Sequence, residues 1–228
     1  MFKKYWKFFV IFWSVVLVGI IGVFVFFWLI SAGKLGFMPT FEELENPNNR
    51  FASEVYFADG PIMNRYFEKE NRKYIEYREI PQSVIDALIA TEDVRFYDHS
   101  GVDVRGLFRV AKGLLTANTS AGGGSTISQQ LAKMLFPRES DLNVFELAIR
   151  KFREWVIAVR LEKSYTKEEI LTMYLNKYDF LNLAVGISSA ADIYFQVPLD
   201  SLKVEQAAML IGMAKNSSYY NPVRRPEL

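Results

Sequence analysis

The chain of 228 residues reads as a mainly α protein with an N-terminal transmembrane helix, a small β-containing connector and a helical domain. Three observations predict this. Phe8 to Ile30 is an apolar run without a single charge, two short β-prone runs flank a turn signal near residue 60, and from Pro81 onward apolar residues recur at helical spacing.

The first seven residues carry Lys3, Lys4 and Lys7, and residues 8–30 are long enough to cross a hydrocarbon core of ~30 Å. The run is too long for the apolar region of a cleavable signal, so it is expected to stay as an anchor. The flanking lysines place residues 1–7 in the cytoplasm and everything past residue 31 outside. Residues 31–77 form a polar extracytoplasmic connector, with a loop at Asn46-Pro47-Asn48-Asn49 and a tight turn at Asp59-Gly60-Pro61. Glu54 to Phe57 and Ile62 to Phe67 read as strands on either side of that turn, and Tyr74 to Ile80 as a third.

Residues 78–228 form the domain. Pro81 suits a first helical turn, followed by Val84, Leu88 and Ile89. Val104 to Leu115 is amphipathic and basic, and Thr126 to Leu135 follows a glycine loop. Asn143 to Glu162 is a long helix with Phe145, Ile149, Phe152, Val156 and Val159 as its expected buried stripe. Thr166 with Glu169 is a capping-box pair opening a helix to Leu175, and Leu199 to Met213 reads as the last helix.

Composition narrows the chemistry. Lys and Arg number 27 against 26 acidic residues, so no electrostatic case exists for nucleic acid as a partner. No cysteine is present, which removes thiolate metal sites and cysteine nucleophiles, and the one histidine, His99, cannot build a multi-histidine centre. Carboxylates are left as the acid or base groups.

Three clusters could carry them. Glu92-Asp93-Val94-Arg95-Phe96-Tyr97-Asp98-His99-Ser100-Gly101 is dense in ionisable groups. It is either a solvated helix end closed by Gly101, or a site in which Glu92, beside apolar Ala90 and Phe96, serves as general base. Gly122 to Lys133 is a flexible glycine loop opening into a helix with hydroxylic first residues. It is either an ordinary capped helix, or a cradle for phosphate and sugar oxygens using backbone N–H groups, Ser125 or Thr126 and Lys133. Arg150, Lys151 and Glu154 share one helix face, as a surface ion-pair cluster or as cations that receive a diphosphate.

In order and spacing the three resemble the peptidoglycan glycosyltransferase family, the polymerase module of class A penicillin-binding proteins and of monofunctional wall transglycosylases. The family's first motif is met by Glu92, Asp93, Phe96, His99 and Gly101, and its second runs from Gly123 to Lys133. There Met134 replaces the usual Asn, removing one polar contact. Arg150, Lys151 and Glu154 match the third motif; Lys167, Ile170, Leu171, Tyr174, Leu175 and Asn176 match the fourth, in which Thr172 stands for a frequent Glu.

The resemblance implies a lysozyme-like, two-lobed helical fold with Glu92 in the cleft. It implies polymerisation of lipid II into β-1,4-linked glycan, with inversion and release of undecaprenyl diphosphate, at the outer face of the bacterial cytoplasmic membrane. Glu92 would be the base, Asp93 its helper, and Glu154 an orienter or the ligand of a Mg²⁺ or Mn²⁺ cofactor. Ser125, Thr126, Gln129, Gln130, Lys133, Arg150, Lys151 and Asn176 would bind donor sugar and diphosphate. His99 would pack structurally. Glu92 and Glu154 are expected to face one cleft, farther apart than the ~5 Å of a retaining pair. Gly106 to Leu115 would dip into the bilayer surface or face the core. Partners would be lipid II, the growing strand, the bilayer and other cell-wall synthesis and division proteins. A muramidase-like hydrolase or a membrane-tethered wall-binding protein are the competing readings. Ser164-Tyr165-Thr166-Lys167 spells a penicillin-site tetrad, but it lies inside motif four with no companion element downstream. The chain ends earlier than such a domain is expected to end, as the first part of a longer protein with a transpeptidase module would.

Overall fold

The computed structural model describes residues 2–40, 43–44, 53–56, 62–66, 71–116, 123–136, 143–217 and 219–227. Helix α1 (Phe2–Ser31) leads into a hairpin of β1 (Ser53–Tyr56) and β2 (Ile62–Tyr66), then the short strand β3 (Asn71–Arg72). The domain follows as α2 (Gln82–Glu92), α3 (Val104–Leu115), α4 (Ile127–Leu135), α5 (Val144–Ser164), α6 (Lys167–Lys177), β4 (Ala184–Val185), α7 (Ile187–Phe195) and α8 (Val204–Lys215). The architecture is mainly helical, as the sequence predicts. The loop at residues 46–49 and the turn at 59–61 lie outside the described residues.

Capping chemistry sets the helix starts. Asn143, Thr166 and Thr126 each accept a backbone N–H of the first turn through the side chain, and Asn143 and Thr166 close full capping boxes with Glu146 and Glu169. Helix α2 packs on α8, and α4 lies against α5 and α6. Between them sits one apolar core that includes Val84, Leu88, Phe96, Leu131, Leu161, Leu171, Tyr174 and Leu210. The connector contributes to it: Leu44 and Ile75 are buried in the same cluster, and the Tyr165 hydroxyl donates to the Leu44 carbonyl.

Four expectations need correction. Tyr74 to Ile80 is not a strand. Ile75 instead pairs its backbone with the Asn176 side chain, and Tyr77–Glu79 is a 3-10 turn closed by Glu79 accepting the Glu76 N–H at 2.6 Å. The β-ladder partner that a strand needs is thus replaced by one amide. Gly101 does not end α2, which stops at Glu92 with Asp93 as its cap. Gly101 has φ +94°, and a Cβ there would lie 2.8 Å from the Ala158 backbone of α5, so it is a close-approach glycine.

The third correction concerns α5. Phe145 is 71% exposed, and the buried residues of this helix are Arg153, Glu154, Ile157, Ala158 and Leu161. Of the expected apolar stripe, Phe152 packs on the anchor instead, meeting Phe26 and Phe27 edge-on at 5.3 and 5.7 Å. Periodicity finds an apolar face, but here Phe152 on that face covers the anchor rather than the core. Finally, Leu199 to Met213 is a 3-10 turn (Leu199–Ser201) followed by α8, and α7 before it was not anticipated.

Helix α1 has a 27-residue stretch, Tyr5–Ser31, long and apolar enough to cross a membrane. Its end is clamped to the domain. Arg160 of α5 donates to the Ser31 carbonyl and hydroxyl, each at 2.8 Å, and to the Pro39 carbonyl at 2.9 Å.

Candidate active site

Glu92 is the last residue of α2, and the chain turns immediately after it at Asp93, whose backbone has left the helical region (φ −157°, ψ 74°). The buried Asp93 carboxylate accepts the N–H of Ile127, first residue of α4, at 3.1 Å, and meets His99 Nε2 at 3.0 Å. A carboxylate at a helix N-terminus is favoured by the unpaired N–H groups there. Asp93 thereby ties the end of α2 to the start of α4.

His99 belongs to this frame. Its ring packs edge-on against Phe96, and its carbonyl accepts the Lys167 ammonium at 2.7 Å. Lys167 also lies 4.2 Å over the Phe96 ring and pairs with buried Glu162 at 2.7 Å, so this motif-four lysine supports motif one from below. Thr126 and Gln129 do the same from the other side. Thr126 Oγ1 donates to the Gly101 carbonyl at 2.7 Å while accepting the Gln129 N–H at 3.2 Å, and the buried Gln129 side chain donates to the same carbonyl at 3.3 Å.

A cleft of about 460 Å³ opens beside this frame, between the end of α2, the start of α3 and the turn before α4. Of the residues picked out in the sequence, Glu92, Asp93, Ser125, Thr126 and Gln130 line it. Glu92 Oε2 accepts the Gln130 side-chain N–H at 2.6 Å, and Oε1 is buried with no hydrogen-bond partner among the described residues. Gln130 in turn accepts the Tyr174 hydroxyl at 3.1 Å. Burial first, and then the charge of Glu92, push the Tyr174 phenol well above its ordinary range, so it stays a protonated donor.

Sequence reasoning missed three cleft residues, Arg95, Asp103 and Lys215, and assigned a fourth, Arg109, to the bilayer-facing stretch. Arg95 Nη2 sits 2.5 Å from Asp103 Oδ2, and Asp103 Oδ1 accepts the Gly106 N–H at 3.0 Å, which seats the first turn of α3. Burial acts to raise the Asp103 pKa, but the Arg95 guanidinium and that N–H outweigh it and hold the carboxyl below the usual range. An Asp three residues before a glycine inside a predicted first turn is a capping signal that could have marked it. Lys215 comes from the last turn of α8, and nothing local in the sequence points to it.

The third cluster lies apart from Glu92. Lys133, Arg150 and Glu154 line a smaller cavity of about 40 Å³, with Phe37, Phe136 and Arg153. Glu92 lines the larger cleft and Glu154 this smaller cavity. Glu154 is buried by α5's packing against α4, with Lys151 at 3.0 Å and Lys133 at 4.0 Å. Lys151 bridges the two cavities, since its ammonium also donates to Ser125 Oγ at 2.9 Å. Asn176 lines neither: its side chain is committed to the Ile75 backbone at 2.8 and 3.0 Å. Among the described residues no group of three or more His, Asp or Glu side chains converges. A lone carboxylate held by two ammonium groups is a poor match for Mg²⁺ or Mn²⁺, which need several oxygen ligands.

On α3, Phe108 and Leu115 are 73% and 90% exposed, while Leu107 and Val110 lie over Gly124 of the loop before α4. The helix thus faces its apolar residues both ways.

Comparison with known proteins gives a family match: the transglycosylase model covers residues 59–228. Penicillin-binding protein 1A of Neisseria lactamica is 37% identical over 83% of the chain, that of Escherichia coli 37% over 82%, and that of Pseudomonas aeruginosa 38% over 83%. The chain spans 23%, 21% and 22% of those relatives' own lengths, less than a quarter in each case.

Proposed function

Since this chain belongs to the transglycosylase family, we propose that its helical domain is a peptidoglycan glycosyltransferase, polymerising lipid II into β-1,4-linked glycan for the bacterial cell wall. The observation that carries this is the state of Glu92: a carboxylate at the cleft wall, held through one oxygen by a neutral amide, with its other oxygen buried and unpartnered, while the cations of the third cluster line a separate cavity. In the reaction the acceptor 4-hydroxyl loses its proton to Glu92 as its oxygen attacks the donor's anomeric carbon from the face opposite the lipid diphosphate. The C–O bond to the diphosphate breaks with its electron pair leaving on the phosphate oxygen, and configuration inverts.

Charge that develops on the leaving diphosphate needs cations placed beforehand. Lys133, Arg150 and Lys151 are the proposed set, with Glu154 holding the lysines in place. Ser125, at the cleft and bonded to Lys151, would sit where the two cavities meet. Arg95, Arg109 and Lys215 line the cleft on the Glu92 side and suit an acceptor that itself carries a diphosphate. Asp93 acts by fixing the backbone beside Glu92 and not by touching substrate. No step is assigned to a metal.

The anchor and the exposed apolar residues Val144, Phe145, Phe108 and Leu115 would keep the cleft at the bilayer surface, where the lipid tails of both substrates lie. Lys3, Lys4 and Lys7 support an orientation with the domain on the outer face of the cytoplasmic membrane. The family and its relatives support a place at the front of a bifunctional penicillin-binding protein.

Purified chain in detergent with labelled lipid II tests the proposal. It predicts a glycan polymer and one lipid diphosphate released per disaccharide added. Cleavage of preformed glycan without polymer would point to a muramidase, and binding of glycan without turnover to a wall-binding protein.

A further inference from the structure

Glu92 reaches the chemistry through a chain of two hydrogen bonds that ends on a buried phenol. Tyr174 of α6 is fully buried and stacks on Tyr178 at 5.7 Å between ring centroids. Its hydroxyl meets Gln130 Oε1 at 3.1 Å, and Gln130 Nε2 meets Glu92 Oε2 at 2.6 Å. A glutamine amide can sit either way round, and only its hydrogen-bond partners decide which. Here Tyr174 and Glu92 decide it together. A protonated phenol can only donate to the amide oxygen, so the NH₂ group is turned to the carboxylate.

We propose that Tyr174 and Gln130 are positioning residues for the catalytic base: the phenol fixes the amide, the amide holds Glu92 Oε2, and Oε1 is left to take the proton of the acceptor hydroxyl. This rests on the glycosyltransferase reading above. It gives Gln130 a different task from donor binding, and it gives the motif-four tyrosine, far from the cleft in sequence, a reason to be a tyrosine. A phenylalanine would fill the same space. Without the hydroxyl the amide keeps its NH₂ toward the carboxylate but loses the partner that anchors its other end, so it can swing away and the hydrogen bond to Glu92 Oε2 is weakened. A hydrogen bond to a carboxylate favours its ionised form, and the loss of one is read in the acid limb of the pH profile.

The variants are Tyr174→Phe, Gln130→Leu and the pair together, in the full chain with labelled lipid II. Loss of one hydrogen bond to an ionised group corresponds to about tenfold. Tyr174→Phe is therefore expected to lower kcat about tenfold with KM within about twofold, and to move the acid limb of kcat/KM up by about one pH unit. The other charged groups at the cleft, Asp93, Arg95, Asp103, Arg109 and Lys215, and the phenol of Tyr178 beside Tyr174, are untouched by this change. Because the two residues act in series, the double variant is expected to be no slower than Gln130→Leu alone.

Losses that multiply in the double variant, or a Tyr174→Phe protein with wild-type kcat and an unmoved limb, would overturn the relay. Should Tyr174→Phe melt well below wild type, the acid limb of Gln130→Leu decides the matter: shifted supports the relay, unshifted ends it. Polymer from wild type with unshifted variants removes the relay alone. No polymer from wild type removes the glycosyltransferase reading and the relay with it.

Discussion

Glu92 and Glu154 are both glutamates on helices beside the same turn, yet their surroundings differ in kind. Glu92 is touched by one neutral amide and keeps an oxygen without a partner, whereas Glu154 is buried between the ammonium groups of Lys151 and Lys133. A carboxylate clamped by cations is a poor base, because taking a proton would forfeit two ion pairs. One held by a single neutral donor can accept a proton at lower cost. The difference assigns the jobs: Glu92 moves a proton, and Glu154 arranges cations.

The largest effect that would sharpen this contrast is Glu92→Gln, which should lower the polymerisation rate by about 10³-fold, within the range for a lost general base. Glu154→Gln comes next. It frees Lys151 and Lys133 from their carboxylate, and the expected result is a fall of about 10²-fold in kcat/KM for lipid II. Its melting temperature should drop only a little, since both lysines are a third exposed and water can take them. Equal, small effects of the two substitutions would erase the contrast.

Smaller effects test the frame that holds the two apart. Gly101→Ala puts a Cβ 2.8 Å from the α5 backbone at a positive φ, and should destabilise the fold by about 3 kcal/mol in chemical denaturation. Asn176→Ala removes two hydrogen bonds to Ile75 and should cost about 2 kcal/mol, while KM for lipid II stays at the wild-type value in protein that remains folded. A raised KM would return Asn176 to the binding site. Asp103 gives the weakest signal. Its folded pKa lies below the unfolded one, so its contribution is present above about pH 4 and is lost as pH falls through the folded value. Asp103→Asn should therefore flatten the acid side of the stability curve by less than about 1 kcal/mol, read as melting temperature against pH.

Much of this was legible in the sequence where the signal is local. The cap at Thr166 and the anchor run are visible because each depends on residues within a few positions. The motif residues Glu92 and Gln130 also came from the sequence, but through spacing that resembles a family, and not through any sign that the two touch. What failed was long-range. The apolar stripe of α5 is real, but only the fold shows that its Phe152 meets Phe26 and Phe27 of the anchor while Glu154 goes inward. Asn176 looked like a binding residue because a polar side chain in a motif suggests a ligand; its ligand is the backbone of Ile75. Helix α7 was missed because Ser188, Ser189, Ala190 and Ala191, all buried, give no apolar stripe to read. Lys215 reaches the cleft only because α8 packs on α2.

The central claim, that Glu92 takes the acceptor's proton and does not merely shape the cleft, is tested most directly by a single turnover of lipid II already bound to Glu92→Gln protein. The account predicts binding within about twofold of wild type and no β-1,4 bond formed on the wild-type timescale, a loss of about 10³-fold in the chemical step. Bond formation from the bound state at near the wild-type rate would contradict it.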